Sequence, residues 1–277
     1  MIVFLNGAFI DAKEAFISPF DRGFLYGDGV FETIRAYKGE PFLLQQHLRR
    51  LRHGLNEMNI QLPYNDTEIY HWIKELLLKN HLLENDAYIR ITVSRGVTRD
   101  LRDFCSALPT IFIYSKPIDV ERLLSRKNEG VRAFFVPFCR GYLAELKHLG
   151  YIVSLKALLE AENVTDEPIF TDNGKVLEGA TSNIFFYDIK KGYVVTPKKG
   201  ILEGVMRNLL INFMKKEGLV VEERDVLKEE TENFSSAFIT NSIVEVLGIA
   251  QLDDKRYSLE EAKKVNQIFE KYKSYVE

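Results

Sequence analysis

The sequence predicts an α+β protein of two domains, and three observations carry that expectation. Amphipathic helices and short apolar strands are interspersed without the regular βαβ alternation of a doubly wound sheet. The 277 residues exceed what a single core usually serves. Between Lys116 and Gly130 the pattern breaks into charge with little β-branched content. The expected division is a first α+β domain at residues 1–116, a linker at 117–129 and a second α+β domain at 130–277.

Residues 2–5 and 8–10 alternate around Asn6-Gly7 and predict an opening hairpin. Leu44, Leu48, Leu51, Leu55 and Met58 recur at spacings of four, three, four and three, which is an amphipathic helix. Asn65-Asp66-Thr67 offers a cap to a second helix with its stripe at Ile69, Trp72, Ile73, Leu76 and Leu77. Residues 88–94, where Ile89, Ile91 and Val93 alternate with Arg90 and Thr92, and the apolar run 110–114 predict strands. Beyond the charged stretch, 131–136 reads as a strand and 151–162 as a helix. Residues 183–187 and 193–195 predict a hairpin around Lys190-Lys191-Gly192. A helix is expected at 203–216, strands at 219–223 and 237–240, and a terminal amphipathic helix at 258–275.

Composition excludes several classes of function. A content of 46% hydrophobic, 28% charged and 12% aromatic residues, with 17 Gly and 8 Pro, is that of a soluble globular protein. It is not that of a disordered, collagen-like or repeat-array chain. With 37 basic against 40 acidic residues the net charge is −3, so no polycationic surface is expected for nucleic acid or membrane lipid. Cys105 and Cys139 are too few for a disulfide framework or a thiolate metal cage, and read as reduced thiols of a cytoplasmic protein. The opening Met1-Ile2-Val3-Phe4-Leu5-Asn6-Gly7 lacks the basic region and long apolar segment of a secretory signal. No apolar run reaches the roughly 18 residues of a membrane span. His47, His53, His71, His81 and His148 never pair as H-x-x-x-H, so no histidine metal site is expected. Dinucleotide, P-loop and nucleophile-elbow signatures are absent.

The stretch Ser18-Pro19-Phe20-Asp21-Arg22-Gly23-Phe24-Leu25-Tyr26-Gly27-Asp28-Gly29-Val30-Phe31-Glu32-Thr33-Ile34-Arg35 mixes glycines, charges and aromatics without a period. It reads as a structured loop before a strand, or as a loop lining a site, where glycines admit close backbone approach. Further clusters follow in order: His47-Leu48-Arg49-Arg50-Leu51, then Leu146-Lys147-His148-Leu149-Gly150-Tyr151, then Glu178-Gly179-Ala180-Thr181-Ser182-Asn183-Ile184-Phe185. After these come Gly200-Ile201-Leu202-Glu203-Gly204-Val205-Met206-Arg207 and Thr240-Asn241-Ser242 with Glu245. Together, over residues 1–249, they resemble the class IV, fold-type IV pyridoxal-phosphate enzymes. That family holds branched-chain aminotransferases, D-amino-acid aminotransferases and aminodeoxychorismate lyases.

The resemblance implies a two-domain fold of that type with pyridoxal 5′-phosphate in the interdomain cleft, and a homodimer. Lys147 matches the family's Schiff-base lysine, a free amine that joins the cofactor aldehyde and then moves the Cα proton. Glu178 matches the acid that pairs with the pyridine nitrogen and favours the electron-accepting, protonated ring. Arg50 matches the phosphate arginine, its planar fork suited to phosphate oxygens, while Arg49 and Arg52 read as exposed. Val205 and Met206, just after Gly204 at a helix start, offer N–H groups to the phosphate, and Asn241 and Ser242 match positions that complete the cup. Phe31 takes the place of an aromatic lining the substrate pocket. Arg99 lies on a loop that contributes substrate-binding groups in the family, with Arg102 as an alternative anchor for a carboxylate. The chain departs from the pattern at Gly150, where asparagine is usual three residues after the lysine, and at Gly248, where proline is usual. Tyr151 resembles the tyrosine that touches the cofactor's ring hydroxyl in branched-chain enzymes, but stands one residue closer to the lysine.

Two reactions follow from the resemblance. A transaminase moves an amino group between an amino acid and a 2-oxo acid, whereas aminodeoxychorismate lyase eliminates pyruvate and releases 4-aminobenzoate. Thr33 and Thr240-Asn241-Ser242 favour the lyase, while the F-E-T-I-R run at residues 31–35 and the breadth of the transaminase group favour transamination. Transamination is the preferred expectation, with L- and D-amino acids both open. A non-catalytic cofactor-binding protein is disfavoured because Lys147 and Glu178 are both present.

Overall fold

The computed structural model describes all residues except 105–107, 164–165 and 274–277. Cys105, and the expected end of the last helix at Tyr275, lie outside the described residues; Cys139 is a free, half-buried thiol. The chain divides into two units. Among the described residues, the first comprises Met1–Asp119 together with Leu146–Tyr151, and the second Val120–Glu145 with residues 152–273.

In the first unit, β1 (Ile2–Leu5) and β2 (Ala8–Asp11) form the expected hairpin. Leu5 pairs with Ala8 across Asn6 and Gly7, whose φ angles of 48° and 96° are those an Asn-Gly turn accepts. There follow α1 (Arg22–Tyr26), β3 (Gly29–Tyr37), β4 (Glu40–Pro41), α2 (Leu44–Glu57), α3 (Asp66–Lys79), β5 (Ala87–Ser94) and β6 (Thr110–Pro117). The strands make an antiparallel sheet in the order β2-β1-β6-β5-β3-β4. Leu48, Leu51 and Leu55 of α2 and Ile69, Ile73, Leu76 and Leu77 of α3 pack with Phe4, Ile34, Ile89, Ile91 and Val93 into one core. The expected cap of α3 is a reciprocal one. Asn65 Oδ1 accepts the Glu68 N–H at 2.9 Å, and the Glu68 carboxylate accepts the Asn65 N–H at 2.7 Å.

The second unit contains α4 (Val120–Glu129), β7 (Val131–Val136), α5 (Ile152–Leu159), β8 (Glu167–Asp172), β9 (Lys175–Gly179), β10 (Asn183–Asp188), β11 (Tyr193–Thr196), α6 (Val205–Lys216), β12 (Val220–Glu223), β13 (Val226–Leu227), β14 (Ser236–Asn241), β15 (Glu245–Leu252), β16 (Lys255–Arg256) and α7 (Glu260–Lys273). Its mixed sheet runs β12-β11-β10-β14-β15-β7-β8-β9-β13, with β16 on β15. The pairs β11–β12, β15–β7 and β7–β8 are parallel.

The structure differs from the sequence expectation where burial erases periodicity. The stretch 18–35 reads as a loop before a strand or lining a site, but its residues from Gly29 on belong to the nine-residue strand β3, buried along most of its length, so no polar alternation marks it. The same holds for β8 and β15, for which no strand was expected. The expected linker 117–129 contains α4, whose polar faces dominate its composition because Leu123 is its one buried residue. Asn65→Ala should cost about 1 kcal/mol of stability, the usual effect of losing such a cap, read as a lowered urea midpoint at constant m.

Candidate active site

Strand β4 pairs only with Ala36 and Tyr37, so it leaves the opening half of that edge of β3 to another partner. The segment Leu146–Tyr151 takes that place. Phe31 N–H donates to the Lys147 carbonyl and Leu149 N–H to the Gly29 carbonyl, each at 2.9 Å, and Val30 and His148 form an antiparallel bridge. The approach requires glycine at position 29, where a Cβ would lie 2.3 Å from the Val93 carbonyl oxygen and 2.8 Å from Leu149 Cδ1. The turn then closes on itself: Gly150 N–H donates to His148 Nδ1 at 3.1 Å and Tyr151 N–H to the Leu149 carbonyl at 2.7 Å. A Cβ on residue 150 would stand 2.9 Å from His148 Nδ1, a physical reason for glycine where the family pattern has asparagine.

With its backbone pinned, Lys147 places Nζ 4.5 Å from the centre of the Phe31 ring. The Arg90 guanidinium is 3.8 Å from the same centre, and the Tyr151 ring meets Phe31 edge-on at 5.7 Å. Thr33 is the register partner of Arg90. Two cations beside one aromatic ring make a spot that attracts a carboxylate.

The opposite face of β3 carries Glu32, which is fully buried. Arg50 of α2 grips it bidentately, Nε to Oε1 at 2.7 Å and Nη2 to Oε2 at 2.8 Å, and His47 Nδ1 lies 2.7 Å from Oε2. A carboxylate only accepts, so His47 Nδ1 carries the proton. Burial pushes the Glu32 carboxyl up, but the Arg50 charge and the hydrogen bonds from Arg50 and His47 outweigh it and hold the group well below the carboxylate range. Burial pushes His47 down and Glu32 opposes this; the cations Arg50 and Lys147 add to the lowering, so the ring is held neutral.

In the second unit Glu178, at 4% exposure, ends in a set of donors. Arg140 binds Oε1, with Nε at 3.0 Å and Nη2 closer still. Oε2 accepts the Leu202 N–H at 3.0 Å and Asn183 Nδ2 at 3.3 Å. Asn183 also donates to the Leu202 carbonyl at 2.8 Å, and its Oδ1 occupies the place of a Cβ on Gly204, 2.0 Å away. Gly204 caps α6 with no side-chain hydrogen bond, leaving that helix start to backbone donors from Val205 and Met206. Asn183 faces Thr240 across the sheet, and Asn241 Nδ2 donates to the Thr181 carbonyl at 3.2 Å. Asn241 Oδ1 accepts the N–H groups of Ile243 and Val244 at 2.9 Å each, closing the turn that holds Ser242.

The sequence-expected residues thus form two groups. Lys147, Tyr151, Phe31, Thr33 and Arg50 cluster on and around β3; Glu178, Gly204, Val205, Met206, Asn241 and Ser242 lie on elements tied through Asn183. Arg99 is exposed on the loop after β5, and the guanidinium that reaches Phe31 is that of Arg90. Sequence reasoning missed Arg90, whose signal is its alternation against the core residues Ile89 and Ile91. It also gave no role to Glu32, His47 and Asn183, which stand inside the quoted motifs, or to Arg140, which no motif contains. Among the described residues there is no grouping of side chains fit to hold a metal ion, and no helix is long and apolar enough to cross a membrane.

Comparison with solved structures defines the fold type. The branched-chain aminotransferase of Thermoproteus uzoniensis, solved with norvaline, superposes with a TM-score of 0.87 at 28% identity, covering 99% of this chain and 97% of that one. The chain therefore has the fold of the fold-type IV pyridoxal-phosphate enzymes. Residues 29–252 match the family model of class IV amino-transferases. A putative branched-chain-amino-acid aminotransferase of Methanocaldococcus jannaschii is 39% identical over 204 residues, 71% of this chain and 68% of the relative. Aminodeoxychorismate lyase of Bacillus subtilis is 30% identical over 261 residues, 92% and 88% of the two. The chain belongs to the class IV aminotransferase family, whose members include both aminotransferases and this lyase.

Glu32 and His47 make stability depend on pH with one sign. Each has a folded pKa below its ordinary value, 4.5 and 6.5 respectively, so the unfolded chain takes the proton first. The stability is present above those values and is lost as pH falls, from about 6.5 for His47 and from about 4.5 for Glu32. Thermal unfolding of the apoprotein should show a decline in Tm that begins near pH 6.5, and His47→Gln should postpone it to the carboxylate range. An unchanged slope in that variant would assign the decline to another group.

Proposed function

We propose that this chain is a pyridoxal 5′-phosphate-dependent aminotransferase, moving an amino group between an amino acid and a 2-oxo acid, with Lys147 as the catalytic residue. The observation that carries the reading is the Lys147 ammonium held over Phe31 beside Arg90 by a backbone segment built into the sheet. The other residues fit the cofactor by chemistry. Glu178 is a buried carboxylate suited to a ring nitrogen, and Arg140, Asn183 and Leu202 keep it oriented. The start of α6, where Asn183 excludes a side chain at position 204, suits a phosphate, with Val205 and Met206 as N–H donors and Asn241 and Ser242 at its side. Arg50 contributes a guanidinium whose plane Glu32 fixes.

When bound, the cofactor supplies an aldehyde for the lysine and a ring that accepts the electron pair left when the substrate Cα proton departs. Lys147 Nζ takes that proton and returns it, and the short, hydrogen-bonded turn at 148–151 keeps the amine from wandering. Arg90 anchors the substrate carboxylate, a role its place at Phe31 supports better than the exposed Arg99. Phe31, Tyr151 and Thr33 border the same place. A homodimer, which the family resemblance implies, is supported by the apolar side chains of Phe16, Phe20, Phe24 and Leu108, each more than two-thirds exposed on the first unit.

The lyase is the second reading, favoured by the 30% identity to the Bacillus subtilis lyase over 92% of this chain. The two separate in one experiment. A transaminase mixed with an amino acid and no acceptor should lose its visible band, and 2-oxoglutarate or pyruvate should restore it; L-branched-chain, L-glutamate and D-alanine donors are tried separately. Rapid release of 4-aminobenzoate from aminodeoxychorismate, with no amino acid discharging the band, would replace transamination by the lyase. Borohydride reduction should attach the cofactor to the Lys147 peptide, and label on any other lysine would remove Lys147 from the site. Glu178→Gln should retain the cofactor while lowering turnover by about two orders of magnitude or more, in line with losing about 3 kcal/mol of charge stabilisation.

A further inference from the structure

Glu167 opens β8 and is only 6% exposed, yet no step of the reaction above uses it. Its carboxylate is the acceptor for one turn, residues 179–183, between β9 and β10. Oε1 receives the Thr181 N–H at 3.0 Å, the Thr181 hydroxyl at 3.1 Å and the Ser182 hydroxyl at 2.7 Å. The backbone closes around it, Gly179 N–H donating to the Ser182 carbonyl at 2.8 Å and Ala180 N–H to the Pro168 carbonyl at 2.9 Å. A Cβ on Gly179 would lie 2.4 Å from Glu167 Oε1 and 2.3 Å from Ser182 Oγ, so the carboxylate fills the inside of the turn.

Both ends of this turn bear on Glu178. Gly179 follows it in the chain, and Asn183 donates to its Oε2 while also holding the Leu202 carbonyl. We propose that Glu167 is a positioning residue for Glu178: its carboxylate fixes the 179–183 turn, and the turn sets Asn183 and with it the Glu178 carboxylate. The link to the cofactor rests on the function proposed above; the link between the two glutamates does not.

Burying a carboxylate is costly, and burial pushes the Glu167 carboxyl above its ordinary range against the opposing pull of Ser182, Thr181 and the Arg126 guanidinium of α4. An apolar side chain of equal size would avoid that cost but would leave the buried Ser182 hydroxyl and the two part-buried donors of Thr181 without their acceptor. What the acid supplies against that cost is the shape of the turn.

The Leu202 amide reports the link in the apoprotein, because it donates to Glu178 and stands outside the turn. In Glu167→Ala, hydrogen exchange should quicken about tenfold at both Thr181 and Leu202, the effect of weakening a hydrogen bond by about 1.4 kcal/mol. Glu167→Gln, whose amide oxygen accepts the same donors, should restore both. If Glu167→Ala does not fold, Glu167→Asp, which withdraws the carboxylate by one methylene, carries the same comparison. Faster exchange at Thr181 with Leu202 unchanged would reduce Glu167 to local packing and overturn the inference. In the holoenzyme, Glu167→Ala should shift the pH midpoint of the cofactor's visible band in the same direction as Glu178→Gln, and add nothing in the Glu178→Gln background. A band moved by Glu178→Gln but not by Glu167→Ala also overturns it. A band indifferent to Glu178→Gln, with Leu202 still responding to Glu167→Ala, rejects the cofactor role of Glu178 and upholds the link between the glutamates.

Discussion

The pairing of the Lys147 peptide with the edge of β3 is the constraint on which the first half of the site depends. Two hydrogen bonds and a bridge convert a connecting segment into part of a sheet, and a sheet position has no freedom to choose which way its side chain points. Successive residues of β3 then divide the work. Phe31 presents its ring to Lys147, while Glu32, next in the chain, faces the helices and holds Arg50 and His47. Removing one partner from such a buried charge cluster costs about 3–5 kcal/mol, so β3 and α2 are held firmly to one another.

The second half is organised by an amide rather than by a strand edge. Asn183 engages Glu178 and the Leu202 carbonyl, and its oxygen lies where a side chain at 204 would stand. One neutral residue therefore orients a carboxylate and keeps a helix start bare. Charges elsewhere in the unit are paired in the same manner: Glu245, with φ of 61°, is held by Lys127 of α4 at the end of the turn containing Ser242.

What could be read from the sequence follows from how half-burial writes a pattern. Helices α2 and α3 are legible because one face meets the core and the other meets water, and the Asn65 cap is legible because Glu68 answers it three residues later. Strands β3 and β15 are not, since a strand buried on both sides has no polar alternation. Helix α4 was hidden by its own charges. At the site, Lys147 and Glu178 were named through family resemblance, and nothing in their own spacing marks them. Arg90 looked like the polar half of an ordinary strand, and only the three-dimensional approach to Phe31 distinguishes it from Arg99. Arg140 and Glu167 left no trace, because each acts on residues far along the chain, and a lone buried charge resembles any surface charge until its partners are seen.

The assignment of Leu146–Tyr151 to the first unit has a consequence for biosynthesis. A nascent chain that has emerged only as far as Asp119 carries every strand of the first sheet, yet the rim of β3 beside Phe31 still shows bare N–H and C=O groups, the kind of rim that recruits other chains. Sealing it requires residues made later, after part of the second unit. The six residues that end this period of vulnerability are the ones that carry Lys147, so protection from aggregation and placement of its amine are achieved in a single event.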